Sequence, residues 1–292
     1  MIQGRNVDPA RTIRVGCGEW GFRELEIRDH FRIARDFGFR TLEFGIGGGL
    51  PGRLPEEPAP RDAEAFRGLA RDHQMATPGC CLENDFTLSD PAAHERMLGR
   101  TLRQIRFARE CGASQVRLFA GFTPAALMTE AIWSRMLGAF SRADGLCAEL
   151  GLTIAIETHG RITMAGDVAH HEHTVTTEPA AARRLVQALS PRIGFNYDPG
   201  NLKAVAPADT TYGLPLFNGR INYCHLKDWR RSGGGWIACA IGDDDLDYGP
   251  LLKAIRFDGV YLIEYEPTRD VLEGIRRSLD YLERLGLKPL FD

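Results

Sequence analysis

Short apolar segments alternate with longer amphipathic segments along most of the chain, and several amphipathic segments close on a glycine. RIARDFG precedes FRTLEFGI, RFARECG precedes ASQVRLFAG, and GLCAELG precedes LTIAIE. Glycine suits the left-handed position that ends a helix, after which the chain can enter a strand directly. The pattern predicts repeated helix-to-strand units, with strands that begin near residues 12, 40, 77, 114, 152, 192, 221 and 259.

The spacing of these strands favours a closed parallel barrel. Consecutive strands start roughly 28 to 40 residues apart, which is the length of one βα unit. Segments such as LTIAIE and VYLIEYE are apolar almost throughout, as is typical of parallel strands covered on both faces. We therefore predict an α/β fold, a single-domain (β/α)8 TIM barrel over residues 12–292, with residues 1–11 as an N-terminal extension. A doubly wound sheet is the alternative, but no G-x-G-x-x-G follows the first strand.

Composition and charge narrow the range of partners. The 292 residues are 43% hydrophobic and 26% charged, which is typical of a globular protein. A net charge of −3 gives no reason to expect a nucleic acid or an anionic membrane as partner. We see no apolar leader and no run near the ~20 apolar residues that span a bilayer. Seven irregularly spaced cysteines then indicate reduced thiols and a cytoplasmic protein, with monomer and homo-oligomer both left open.

Polar residues at the ends of the last four predicted strands are the candidates for chemistry, because active sites of α/β barrels lie at the C-terminal ends of the strands. IAIETHG supplies Glu157, IGFNYDPGN supplies Asp198, INYCHLKDWRR supplies His225, and VYLIEYEP supplies Glu264. Any one of them alone is more often a buried, hydrogen-bonded group. Four in succession indicate a shared site, because three uncompensated carboxylates are costly to bury without a cation.

The chemistry of these side chains indicates one divalent metal ion. Three carboxylates and one imidazole form a hard, oxygen-rich set that favours Mn²⁺ or Mg²⁺, with Co²⁺ or Zn²⁺ as the alternatives. Two coordination positions would be left for substrate oxygens or water.

The motifs IETHG, YDPGN, HLKDW and LIEYEP, in this order, resemble those of the xylose-isomerase-like barrels, the superfamily of sugar phosphate isomerases/epimerases and AP-endonuclease-2-like proteins. The resemblance runs from VGCGEWGF to the last strand and indicates a superfamily rather than a substrate. It implies that Glu157, Asp198, His225 and Glu264 are metal ligands. It also implies that Glu157 and Glu264 accept and return a proton at the substrate carbon, through a metal-stabilised enediolate.

Two branches of the superfamily fit less well. Ketose 3-epimerases carry a histidine at the position of Asn201, and an N-R-F-E stretch where this chain has THGR. Endonuclease IV needs additional histidines for three zinc ions, one of them also at the position of Asn201. A free-ketose 3-epimerase and a DNA-repair enzyme are therefore disfavoured.

Five residues are the candidate substrate contacts: His159, Asn201, Lys227, Arg231 and Trp20. Arg231 matches an arginine that contacts substrate in the epimerases. Lys227 is suited to a carboxylate, a phosphate or a hydroxyl, with a solvated charged loop as the alternative. Trp20 would form an apolar wall or simply pack at the barrel mouth. His159 is the one obvious extra acid, and a structural hydrogen bond is its alternative role.

Two other groups of residues carry weaker expectations. Glu43, at the end of the second strand, is expected to line the site floor or to hydrogen-bond a neighbour. The histidines of AHHEH resemble a second metal site, but we expect them in a long loop after the fifth strand.

These features together predict a metal-dependent isomerase or epimerase of carbohydrate metabolism, acting on a small sugar, a cyclitol or a sugar phosphate. The alternative is a lyase that dehydrates a keto-cyclitol or a 3-oxo sugar, because the same enediolate precedes both products. A catalytically idle subunit fits poorly with four intact ligands.

Overall fold

Parallel strands curl into a barrel in the computed structural model, which describes residues 11–291. In chain order the strands are β1 (Arg11–Cys17), β2 (Phe44–Ile46), β3 (Gly79–Leu82), β4 (Gln115–Leu118), β5 (Thr153–Glu157), β6 (Arg161–Ala165), β7 (Val168–Glu172), β8 (Gly194–Tyr197), β9 (Ile221–Leu226), β10 (Asp228–Ser232), β11 (Gly235–Cys239), β12 (Tyr261–Ile263) and β13 (Leu287–Leu290). The parallel sheet has nine strands in the order β13-β1-β12-β9-β8-β5-β4-β3-β2.

The barrel closes at β1, whose last residue also contacts the segment that leads into β2. The amide of Cys17 donates to the carbonyl of Thr41 at 3.0 Å, and the amide of Glu43 donates to the carbonyl of Cys17 at 2.9 Å. β13 pairs with the first half of β1 and lies outside this ring. The predicted (β/α)8 class is confirmed, and the eight barrel strands begin close to the expected positions.

Helices connect the strands and cover the barrel. They are α1 (Ile27–Asp36), α2 (Pro60–His73), α3 (Pro91–Glu110), α4 (Glu130–Leu150), α5 (Pro179–Ala188), α6 (Pro199–Val205), α7 (Leu214–Phe217), α8 (Tyr248–Ala254) and α9 (Val271–Arg284). Gly38, Gly112 and Gly151, which follow α1, α3 and α4, have φ angles of 92°, 101° and 68°. These positive angles are the left-handed conformation that the sequence pattern predicts at helix ends.

Two insertions, one after β5 and one after β9, together form a second, antiparallel sheet. β6 and β7 form a hairpin after β5, and β10 and β11 form a hairpin after β9. Trp236 of β11 lies opposite Ala169 of β7, which joins the hairpins into one four-stranded sheet. We call this the cap sheet. Its apolar side packs on Ala204 of α6.

The cap sheet corrects one expectation, since the segment AHHEH belongs largely to β7 and not to a long loop. The turn between β6 and β7 consists of Gly166 and Asp167, and Gly166 has a φ of 62°. Tight hairpin turns favour glycine at such an angle. The ring of His171 lies edge-on to Trp229, with 4.7 Å between their centroids, so that it packs within the cap.

The remaining sequence expectations about organisation concern the termini and the cysteines. Arg11 already belongs to β1, and the rest of the predicted extension over residues 1–11 lies outside the described residues. All seven cysteines are free, as expected, and all are buried. Within residues 11–291, no helix has both the length and the apolar character needed to cross a membrane.

Candidate metal centre

The four predicted ligands converge at the C-terminal end of the barrel. Glu157 is the last residue of β5, Asp198 directly follows β8, His225 lies in β9, and Glu264 directly follows β12. All four side chains are buried, and each offers one ligand atom within 4.8 Å of the others. The four strands are consecutive neighbours in the sheet, which explains why residues so far apart in the chain share one site.

Asp198 is held by the start of α6. Its Oδ1 accepts the backbone N–H of Asn201 at 2.9 Å and caps the helix, while Oδ2 accepts the side-chain amide of Asn201 at 3.1 Å. The same amide donates to Oε1 of Glu157 at 3.0 Å. A Cβ on Gly200 would lie 2.5 Å from the carbonyl oxygen of Lys227, so only glycine allows α6 to lie this close to the end of β9.

This geometry and donor set fit a single divalent cation. When each ligand atom lies ~2.1 Å from an ion, two ligand atoms on opposite sides of that ion are about 4.2 Å apart. The observed spread of at most 4.8 Å requires shifts of only a few tenths of an ångström to converge on one ion. Three carboxylates and an imidazole nitrogen are the hard ligands that such ions prefer, and buried together they need a compensating positive charge.

His225 is oriented by Glu43, which lies below it in the barrel. Nε2 of His225 is 3.0 Å from Oε1 of Glu43. Nδ1 faces the other ligands, 3.4 Å from Oε2 of Glu264 and 3.8 Å from Oδ2 of Asp198, and lies 3.1 Å from the side-chain amide nitrogen of Asn196. The hydroxyl of Tyr223 and the thiol of Cys81 also donate to Oε1 of Glu43, at 2.6 and 2.7 Å. Glu43 therefore fixes both the ring plane and the nitrogen that points at the metal position.

Glu43→Gln is expected to weaken metal binding by about 10- to 100-fold, the usual cost of losing the carboxylate behind a ligand histidine. Competition with a fluorescent chelator would measure the affinity. Tyr223→Phe is the matched control, because it removes one hydrogen bond to Glu43 but keeps the contact with His225. An unchanged affinity in Glu43→Gln would mean that this carboxylate does not orient the ligand.

A second set of ligand-type side chains, Glu19, Glu43 and Cys81, lies next to the first. Burial raises the pKa of the Cys81 thiol well above its usual value, against the opposing effect of the Arg117 guanidinium. Because Cys81 is therefore a protonated thiol that donates to Glu43, and Arg53 lies 3.4 Å from Glu19, these groups form a hydrogen-bonded and ion-paired layer rather than a metal site.

Arg117 was missed in the sequence, although it is a charged residue within the short apolar strand β4. Its Nε lies 3.0 Å from Oε2 of Glu157, and both side chains are buried. Burial raises the pKa of Glu157 to about 7, against the opposing effect of the Arg117 guanidinium. Arg117 therefore fixes the position of the Glu157 carboxylate at the site.

Lys227 links the ligands to a further carboxylate. Its Nζ lies 2.6 Å from Oε2 of Glu264, 3.4 Å from Oδ2 of Asp198 and 2.9 Å from Oε2 of Glu266. Nε1 of Trp20 donates to the other oxygen of Glu266 at 2.9 Å. Burial disfavours a charged Glu264, but His225 and Lys227 outweigh this and hold its pKa well below the usual value. Lys227 is therefore part of the site and not of a solvated loop.

The other predicted substrate contacts fall into two groups. His159 and Trp20 line a cavity of about 720 Å³ that opens above the ligands, together with Glu157, Lys227 and Glu264. Burial lowers the pKa of His159 to about 4, so its imidazole is neutral near pH 7. Arg231, in contrast, is exposed on β10, with its guanidinium 4.5 Å from the ring centre of Trp236, and does not line this cavity.

Asn201 acts on the ligands rather than on the cavity, since its amide bridges Glu157 and Asp198. Asn196 is a second amide at the site that the sequence did not reveal: its Oδ1 accepts the backbone N–H of His225 at 3.1 Å. Its position inside the short strand β8 was the available signal, because an amide in a buried strand needs a partner.

Comparison with known proteins agrees with this fold. The family model of the xylose isomerase-like TIM barrel matches residues 31–285, most of the chain. The chain belongs to this family. The predicted resemblance to the xylose isomerase-like superfamily is thereby confirmed. No curated protein sequence matches the chain.

Solved structures of xylose isomerase-like barrels align over nearly the full length. The 3-keto-D-glucoside 4-epimerase YcjR from E. coli has a TM-score of 0.69 at 14% identity, covering 94% of this chain and 100% of that one. The probable 3-DHS dehydratase AsbF of Bacillus anthracis has a TM-score of 0.70 at 14% identity, covering 93% and 99%. A Mycobacterium smegmatis protein in complex with magnesium has a TM-score of 0.70 at 15% identity, covering 96% and 98%. Another matching structure holds a zinc atom. At these identities the likeness concerns the fold alone.

Proposed function

We propose that this xylose isomerase-like barrel is a divalent-metal-dependent isomerase or epimerase that acts on a small sugar, a cyclitol or a sugar phosphate. The observation that carries the proposal is the convergence of Glu157, Asp198, His225 and Glu264, of which the two glutamates line the cavity. Two of these ligands are glutamates on different strands, so the same cluster offers both a cation site and two groups able to exchange protons.

The hard oxygen and nitrogen donors of this cluster favour Mn²⁺ or Mg²⁺. A divalent ion bound there would polarise a substrate carbonyl and acidify the neighbouring C–H. Glu157 and Glu264 are the residues that would take up and return this proton. Arg117 holds Glu157 in place from one side, and Lys227 holds Glu264 from the other. Both glutamates are buried, and the supporting side chains keep them from turning towards solvent.

The substrate class rests on the charged side chains beside the ligand cluster and on the kind of enzymes that share the fold. The matching structures include a sugar epimerase and a probable dehydratase, which supports an enzyme acting on a carbohydrate. The prediction of a cytoplasmic protein with reduced cysteines stays part of the proposal.

A lyase is the second candidate, and His159 is the residue that favours it. Its ring lines the cavity, and no residue in the described range accepts or donates a hydrogen bond at its Nδ1. A positioned imidazole could help a β-hydroxyl to leave as water, and the result would be a dehydrated product instead of an isomer. The low pKa of His159 argues against a charged imidazolium as the donor near pH 7.

Incubation of candidate substrates in D₂O would distinguish the two reactions. We expect an isomerase or epimerase to place deuterium at the former C–H carbon while the molecule keeps its composition. NMR across a panel of ketoses, inososes and 3-oxo sugars would detect the exchange. A dehydratase would instead release 18 mass units and yield an enol or diketone that absorbs in the near ultraviolet.

His159→Gln is the variant that separates the two candidates further. If isomerisation is the reaction, exchange at the C–H carbon should continue in this variant. Loss of water that depends on His159, with no isomeric product from any substrate turned over, would assign the chain to the lyases.

A further inference from the structure

The cavity above the metal centre has far more room than a monosaccharide needs. Its volume is about 720 Å³. A water molecule takes up roughly 30 Å³ in the liquid. If each of the twelve heavy atoms of a hexose is given that volume, the sugar fills only about half of the cavity. Cavities of this size are typical of larger organic ligands. The remaining space therefore needs its own explanation.

Apolar side chains of the cap sheet form part of the cavity wall. The floor carries the ligand glutamates and Lys227, while Ile162 and Met164 of β6 and Ile237 of β11 belong to the cap sheet. Met164 is 57% exposed. When a ligand covers a water-exposed apolar side chain in a cavity wall, the burial of that apolar surface stabilises the complex.

Aromatic rings continue this apolar wall after β4. Phe119 and Phe122 have centroids 4.9 Å apart at an interplanar angle of 52°, and His159 stands edge-on to Phe119 at 5.2 Å. The Arg117 guanidinium covers one face of Phe119, 4.2 Å from the ring centre, so half-buried Phe122 is the more accessible of the two rings. The sulfur of Met164 on the cap side is also a favourable neighbour for an aromatic group.

Charged side chains also reach the upper part of the cavity. Arg23 lines it, but one of its guanidinium nitrogens donates to the carbonyls of Trp20 and Glu266 at 2.7 and 2.8 Å. Asp167 and Arg269 carry opposite charges in the same wall, and Glu83 is paired with Arg53 at 2.6 Å. A phosphorylated sugar is therefore the comparison against which an apolar aglycone has to be tested.

We propose that the substrate is a glycoside with an aromatic aglycone, whose sugar ring lies at the metal centre and whose aglycone lies against the cap sheet and the Phe119–Phe122 wall. This inference rests on the proposed function, because the sugar ring is placed by the metal ligands. The cap sheet then serves as the aglycone-binding surface.

Calorimetric titration of the Mn²⁺-loaded protein tests the proposal. The probes are the phenyl and methyl glycosides of 3-oxo-glucose, with fructose 6-phosphate as the phosphorylated comparison. The phenyl glycoside is expected to bind at least about tenfold more tightly than the methyl glycoside, the discrimination that a few buried apolar carbons supply. In the double variant Ile162→Ser/Met164→Ser, the ratio of the two affinities should fall to about threefold or less.

Leu127→Ser/Leu272→Ser is the matched control, since these exposed leucines lie outside the cavity wall and the ratio should stay at the wild-type value. Equal affinities for the two glycosides, no binding of the phenyl glycoside, or tighter binding of fructose 6-phosphate would overturn the inference. Deuterium exchange on the same compounds separates it from the proposed function. Tight binding of the phenyl glycoside without deuterium exchange in any compound would count against the proposed function alone. Deuterium exchange without a preference for the phenyl glycoside would count against the proposed aglycone site alone.

Discussion

Glu157→Gln and Glu264→Gln are each expected to lower turnover by about 10² or more, the usual effect of removing a positioned acid or base. An amide keeps the shape of the side chain but cannot accept the substrate proton. Steady-state kinetics would measure the loss for whichever substrate shows exchange in D₂O. Because each glutamate also belongs to the ligand cluster, metal content has to be measured on the same samples.

Glu266→Gln is the control for this pair. Glu266 lines the same cavity and contacts Lys227 at 2.9 Å, but it is not one of the four clustered ligands. Its replacement should therefore cost less turnover than either ligand variant. Near-normal turnover in both Glu157→Gln and Glu264→Gln would rule out the two-carboxylate mechanism.

Metal removal should have the second large effect. Purified protein is expected to contain about one divalent ion per chain, and dialysis against a chelator should abolish activity and lower the melting temperature, since a ligand that binds only the folded state stabilises it. Elemental analysis and thermal unfolding would measure the two effects. The free energy gained from the ion comes from the buried carboxylates, which are left with excess negative charge when it leaves.

Re-addition experiments complete this test. Mn²⁺ or Mg²⁺ should restore both activity and melting temperature, whereas Asp198→Asn should hold less metal under the same conditions. An active preparation with no ion, or one with three zinc ions per chain, would contradict a single-ion site.

The barrel and the meeting of four ligand-type side chains could be predicted from the sequence because both depend on regular features. Apolar strands bounded by glycine recur at the length of one βα unit, and parallel strands bring their C-terminal ends to the same rim. Glu157, Asp198, His225 and Glu264 follow from that rule without knowledge of any contact. Their meeting within 4.8 Å agrees with this reasoning.

The side chains that support the ligands could not be predicted in the same way. Whether Arg117 or Asn196 points into the barrel depends on the strand register, which a short apolar segment does not specify. The role of Glu43 depends on a contact with His225, which is remote in sequence. Local patterns carry no information about such a pair.

The cap sheet was missed for a related reason. Its two hairpins are short, and neither is stable alone, so each depends on the other through the pairing of Trp236 with Ala169. The segment DWRRSGGGWIAC is rich in charged residues and glycine, a composition typical of a loop, unless its pairing with β7 is known. For Arg231, the hairpin directs the side chain onto Trp236 and away from the cavity.

The cap hairpins begin only after β5 and β9, so in the proposed enzyme the reacting groups lie on the barrel and the proposed aglycone-binding surface lies on an insertion. Exchange of residues 161–172 and 228–239 for the corresponding loops of another family member would leave the positions of Glu157 and His225 untouched. Because the hairpins pair with each other, they would have to be replaced together. Under this proposal, exchange of the two hairpins together would change the substrate range and leave the ligand cluster on the barrel in place.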